Sequence, residues 1–267
     1  FSVNGSYNFQ KPTPPTYFPD TPLTRALQNE LQSAPLARVA SEGLLPGGHN
    51  AGAEYGFADI NGNDPLRLDA TEQFDQRVPE LRKFQLLGVQ YVVTKRTITH
   101  GAFTPITSDG DAHLYRFNDA LPRAWLIHGA RVVPSEKTLD ALNDAAFDPT
   151  TTAILQRDPP LALPRTAPSD DDVTITQQGA GHLAVRARST ANGLLVVSEI
   201  FYPGWRATVD GQSAQLMPAD GILMAVAVPS GDHNVVLTFA PDLVTIGAAI
   251  SGLSLLLFFV LLIVARR

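Results

Sequence analysis

Apolar residues are spread unevenly along this chain, and their spacing changes character from one stretch to the next. Residues 1–22 are polar and proline-rich, with Pro12, Pro14, Pro15, Pro19 and Pro22, and read as an extended lead-in. Thr21 or Thr24 then caps a short helix through Leu31, and Leu36 to Ala40 is a strand candidate carrying Arg38. Residues 43–65 are rich in Gly and Asn and read as a surface loop. Pro79 opens a helix whose apolar side holds Leu81, Phe84, Leu86 and Leu87; Gly88 closes it, and Val89 to Thr94 follows as a strand. His113 to Phe117 and Ala124 to Val133 are further strand candidates, and Ser135 with Glu136 starts a helix through Leu139 and Leu142. Alternating helices and strands predict an α/β-type domain over 23–157.

A Pro/Asp-rich linker, 158–172, ends that pattern, and every candidate beyond it is a strand. The strands are Val173–Gln177, His182–Arg188, Leu194–Ile200, Arg206–Asp210, Ala214–Met217, Ile222–Val228 and Asn234–Phe239. With turns at Asn192-Gly193, Asp210-Gly211 and Asp220-Gly221, they predict an antiparallel β-sandwich over 173–240.

The last stretch is different again. From Leu243 to Ala265 run 23 uncharged residues, 18 of them apolar, and Leu253 to Val264 carries no polar stripe. That length crosses a hydrocarbon core of roughly 30 Å as a single transmembrane helix. Gly247 with Ser251, and Ala248 with Gly252, are spaced four apart and form a small-residue face on which another helix can pack closely. Arg266 and Arg267 place the C-terminus in the cytoplasm by the positive-inside tendency, which leaves residues 1–242 extracytoplasmic. The whole chain is therefore expected to be multi-domain α+β, anchored to the lipid bilayer. Phe1 opens it with neither an initiator Met nor a signal stretch, so either a signal has been removed or the chain is the tail of a longer protein.

Composition narrows the functional classes. The absence of cysteine excludes a disulfide scaffold, a Cys-ligated metal and a thiol nucleophile. Without the terminal Arg pair, 18 Lys+Arg stand against 26 Asp+Glu, which argues against nucleic acid as a partner. The six histidines are dispersed without H-x-H or H-E-x-x-H spacing, and no G-x-S-x-G occurs. Gly47-Gly48 lacks the Lys-Ser/Thr of a phosphate loop. Asp59, Asn61, Asn63 and Asp64 resemble the start of a calcium loop, but Ala70 stands where that loop needs its acidic twelfth residue, so turn chemistry accounts for them. Asp170-Asp171-Asp172 reads as a solvated linker, and Asn4-Gly5-Ser6 as a glycosylation sequon. No catalytic residue, cofactor or metal site emerges.

The densest local signal is Phe201-Tyr202-Pro203-Gly204-Trp205, continuing to Val209-Asp210-Gly211. Tyr202 and Trp205 offer rings that can stack on a sugar; alternatively Trp205 belongs to the sandwich core behind a Pro203-Gly204 turn.

This segment resembles the strand-turn motif of the YfhO family of bacterial multi-spanning membrane proteins. The family's following motif is present as Pro229, Gly231, His233, Val235, Phe239 and Pro241, leading straight into the span. Leu86-Leu87-Gly88-Val89-Gln90-Tyr91-Val92-Val93, Leu121-Pro122-Arg123-Ala124 and Asn61-Gly62-Asn63-Asp64-Pro65-Leu66 are similar to further family segments. The resemblance implies a region of a GT-C-like glycosyltransferase in the bacterial plasma membrane, a class that transfers sugars from polyprenyl-phosphate donors to cell-envelope glycans. The acidic residues expected to catalyse transfer lie in a membrane bundle that these residues do not contain, so none is carried over. Three functions compete: a non-catalytic extracytoplasmic region that shapes or covers an acceptor site, an accessory subunit docked through its helix in a larger membrane complex, and a carbohydrate-binding surface module.

Overall fold

The computed structural model describes residues 18–62, 68–164 and 170–265. The lead-in at 1–17 with its sequon, the end of the Asn61–Leu66 motif and the Arg266–Arg267 pair lie outside the described residues. The chain divides into two compact units between Arg123 and Ala124.

In the first unit Thr21 starts helix α1 (Pro22–Ser33) through a reciprocal cap, its hydroxyl accepting from Thr24 N–H at 3.2 Å while Thr24 Oγ1 accepts from Thr21 N–H at 2.9 Å. Then follow β1 (Arg38–Ala40), α2 (Ala51–Tyr55), β2 (Ala58–Asp59), α3 (Asp69–Arg77), α4 (Glu80–Leu86), β3 (Val89–Thr94), β4 (Phe103–Asp109) and β5 (Ala112–Phe117). The sheet runs β2-β1-β3-β5-β4, with β2, β1 and β3 parallel and the other two joined antiparallel. The core divides between the two faces of the sheet. Leu23 and Leu27 of α1, one turn apart, pack with Val39, Tyr91, Val93 and Leu114; Phe84 of α4 packs with Ala40, Val89, Val92 and Phe117. Helices on both faces of a mixed sheet are consistent with the α/β-type arrangement expected from the sequence.

The Gly/Asn-rich stretch is only partly loop. Gly56, left-handed at φ 76°, ends the short helix α2, and the chain returns in time for Arg38 and Val39 to pair with Ala58 and Asp59. The family-like segments of this unit meet at the end of α4. Gly88 there is left-handed, a Cβ on it would come 3.0 Å from the Leu121 carbonyl, and Leu121 N–H bonds to the Gln85 carbonyl at 3.1 Å.

The second unit is a β-sandwich. Its strands are β6 (Ala124–Ile127), β7 (Gly129–Val132), β8 (Thr152–Leu155), β9 (Asp172–Gly179), β10 (His182–Ser189), β11 (Gly193–Val197), β12 (Trp205–Val209), β13 (Gln212–Ala214), β14 (Leu216–Ala219), β15 (Leu223–Val228) and β16 (Gly231–Phe239). A short helix, α5 (Thr138–Leu142), stands between β7 and β8. One sheet runs β13-β12-β16-β10-β9 and is antiparallel throughout; the other runs β6-β11-β15-β14-β8-β7. Leu183, Val185, Val235 and Leu237 of the first face Leu195, Val197, Met224 and Val226 of the second. All six positions of β15 are buried, so the second sheet is covered on both faces.

Each of the seven expected strands has a counterpart. The Ala214–Met217 candidate breaks at Gln215, and its halves, β13 and β14, go to different sheets. Asn192-Gly193 is likewise not a hairpin turn, because β10 and β11 belong to opposite sheets. Gly193 is required there by close packing: a Cβ would stand 3.1 Å from the His128 ring and 3.3 Å from the Ile127 carbonyl. Strands β6, β7 and β8, which precede the Pro-rich segment, complete the second sheet of the sandwich. After β16 the chain turns at Pro241 into α6 (Asp242–Ala265), whose apolar side chains stand exposed along its length.

Candidate functional site

The two sequence motifs of the C-terminal part lie side by side. β12 and β16 pair antiparallel with Trp205 opposite Phe239, Ala207 opposite Leu237 and Val209 opposite Val235. Ala207, Val235 and Leu237 lie in the core between the sheets with Trp205 and Val209 packed against them, and the Trp205–Phe239 pair forms the last layer before the helix. The Trp205 and Phe239 rings lie 5.4 Å apart, and Tyr202 joins them at 6.3 Å from Phe239. Trp205 is half-buried against the sandwich core, while Tyr202 is 44% and Phe239 37% exposed.

Gly204 allows the helix to start here. Its φ is 114°, its carbonyl accepts from Ala240 N–H at 2.7 Å, and a Cβ on it would meet Pro241 at 3.0 Å and the Phe239 ring at 3.1 Å. Beside it the Arg206 guanidinium is paired with Asp242 at the first turn of α6, where a carboxylate also suits the helix dipole.

At the other end of this strand pair, Asp210 (φ 52°) and Gly211 (φ 79°) form the two-residue hairpin between β12 and β13. Asp210 accepts from Asn234 N–H at 2.8 Å and from His233 Nδ1 at 2.6 Å, and His233 Nε2 donates to the Ser230 carbonyl at 3.2 Å. Both ring nitrogens thus face acceptors. The Asp210 hydrogen bond raises the His233 pKa above its usual value, against an opposing effect of burial and with help from Asp232. Asn234 N–H first, and His233 second, hold the Asp210 carboxyl below the usual carboxylate range.

A group whose pKa is raised by folding contributes stability below its unfolded pKa, about 6.5 for His, and loses it as pH rises through the folded value. Asp210 contributes above about 3.9 and loses it as pH falls through its depressed value. The stability gap between the protein and a His233→Gln variant is therefore expected to be widest in mildly acidic solution and to close towards alkaline pH. Thermal melts of both proteins from about pH 3 to 9 measure it; a gap that widens with rising pH refutes the assignment.

Sequence reasoning missed the pairing of His128 with Asp171. His128 is buried, with Nε2 2.8 Å from Asp171 Oδ2 and Nδ1 2.8 Å from the Asn192 carbonyl, while Asp170 accepts from Thr190 Oγ1 at 2.9 Å. The acidic run thus ties the chain to the sandwich rather than serving only as a solvated linker. Its sequence signal was a lone His far from three Asp residues, too sparse to connect. In the first unit, Ser41, Asp59, Asn61, Glu42, Thr94 and Arg96 gather at the carboxyl ends of the parallel strands, hydrogen-bonded to one another. Among the described residues no group of three or more His, Asp or Glu is placed to hold a metal ion.

The junction motifs fall inside a stretch that matches a family model. Residues 167–251 match the family model described as bacterial membrane protein YfhO. The YfhO match begins ahead of β9, covers both junction motifs and ends in the third turn of α6. No curated protein and no solved structure matches the chain. With its apolar 24-residue helix, the YfhO match makes this a membrane protein. Gly247, Ala248, Ser251 and Gly252 all lie exposed on that helix, and a Cβ on either glycine would touch nothing within 4 Å.

Proposed function

We propose that this chain is the extracytoplasmic C-terminal region of a membrane-embedded, GT-C-like glycosyltransferase-family protein of the bacterial plasma membrane. In this reading it is non-catalytic and shapes or covers the acceptor site for transfer of lipid-linked sugar to an envelope glycan. The observation that carries the reading is the unbroken passage of the YfhO match through the sandwich into the apolar helix. A sandwich joined this closely to a membrane helix stands where the head of a polyprenyl-phosphate sugar emerges. The exposed small-residue face gives α6 a surface for further helices of the same protein.

That face also supports a second reading, an accessory subunit docked in a larger membrane complex. The exposed Tyr202 leaves a glycan contact open, although Trp205 offers less of its face because it packs on the core.

The cysteine-free sequence makes orientation directly testable. In intact cells, the protein carrying Asp158→Cys, at an exposed position, is expected to react with a membrane-impermeant maleimide. Labelling only after lysis rejects an extracytoplasmic region. A reading frame with further spans upstream of Phe1 favours the transferase over the accessory subunit, and a short frame with a signal peptide does the reverse.

A further inference from the structure

We infer that Tyr202, Trp205 and Phe239 form an aromatic collar that seats the sandwich in the headgroup zone of the bilayer leaflet from which α6 emerges. The collar is the terminal layer of the sandwich at the end where the helix leaves, so its exposed edges belong to the surface nearest the span. Tyr202 and Phe239 are exposed, as are Ile200, two residues before Tyr202 in the chain, and Leu243, in the first turn of the helix.

Chain length keeps these rings close to the interface. Phe239 precedes Asp242 by three residues, which span at most about 10 Å even when fully extended. Headgroups occupy roughly 5–8 Å on each side of the hydrocarbon core. A helix of 24 residues is about 36 Å long, some 6 Å more than that core, so its first turn also falls at headgroup depth. The Gly204 carbonyl bond to Ala240 and the Arg206–Asp242 pair join the strand that carries Trp205 to the start of the helix. Trp and Tyr favour this depth because each ring combines an apolar body with a polar edge. The occupant of this surface is lipid, and the patch is continuous with the span already immersed in it.

The test uses the full chain in nanodiscs with lipids brominated either near the ester end or near mid-chain. The only other tryptophan, Trp125, is buried within the second unit. The Trp205 signal is therefore the emission lost in a Trp205→Phe variant, which keeps an aromatic ring in the layer. The expected result is a loss of Trp205 emission that is greater with shallow bromines than with deep ones, together with protection from aqueous iodide. Iodide quenching without bromine quenching, the result for a collar that faces water or a soluble glycan, overturns the proposal. Protection from both quenchers, the result for a collar covered by protein, overturns it as well.

Discussion

Replacing Gly204 by alanine is expected to destabilise the sandwich by about 2–6 kcal/mol. Two effects act together. At φ 114° the backbone occupies a region open almost only to glycine, which costs a side chain roughly 1–3 kcal/mol. The added methyl group also lies 3.0 Å from Pro241 Cα, a backbone atom that moves only if the helix entry moves, and overpacking of this kind costs about 1–3 kcal/mol. Gly211→Ala separates the two effects, because Gly211 is left-handed but a Cβ there would meet nothing within 4 Å. Thermal melts of the full chain in mild detergent should show Gly204→Ala losing on the order of 10 °C and Gly211→Ala clearly less. Equal losses would mean that contact with Pro241 contributes nothing and that helix entry is not fixed by this glycine.

The same glycine shows which parts of the fold were legible in the sequence. Strands built from β-branched and apolar residues behind a glycine were readable: Val89–Thr94 after Gly88 and His182–Arg188 after Gly181 emerge close to their observed ends because residue type and a bounding turn are properties of neighbours in sequence. The apolar helix was readable for a similar reason, since its signal is continuous and needs no partner. Asp210-Gly211 was readable as a hairpin because both residues must adopt positive φ and their types permit it. Asn192-Gly193 carries the same residue types for another reason, close approach to His128, and composition does not distinguish a hairpin from a change of sheet. The short strand Ala58–Asp59 was hidden inside a glycine-rich stretch, because two paired residues have no periodicity to detect.

The candidate site was legible in its parts and not in its assembly. Tyr202 and Trp205 stood out as aromatic residues in a conspicuous motif, and Phe239 as a member of the next one. Their meeting depends on the antiparallel register of β12 with β16, which sets residue 205 opposite residue 239 across an interval of more than thirty residues. The His233–Asp210 pair depends on the same register. Nothing local to either residue encodes it; turn chemistry at Asp210 and the buried Val209–Val235 pair encode it jointly.

Trp125→Ala is expected to cost the sandwich about 3–5 kcal/mol, the usual range for deleting a buried tryptophan. Trp125 lies on β6, opposite Val196 of β11, and its indole N–H bonds to the Pro149 carbonyl at 3.0 Å in a buried setting. Truncation removes the ring volume and strands that carbonyl without its donor. The location of the damage is the informative part. Residues before the Pro-rich segment read as part of an N-terminal domain, whereas β6 and β8 are hydrogen-bonded to strands that follow it. Asp220 reinforces the β8 join, its carboxylate accepting from Ile154 N–H at 2.8 Å while its own N–H bonds to the Ile154 carbonyl at 2.9 Å. Trp205, in the opposite sheet, remains as the fluorescence reporter in the variant. If 124–155 folds with the sandwich, the transition reported by Trp205 shifts to lower denaturant in Trp125→Ala, with its slope retained. An unchanged Trp205 transition, with an earlier one appearing by circular dichroism, would return the segment to an independent N-terminal domain.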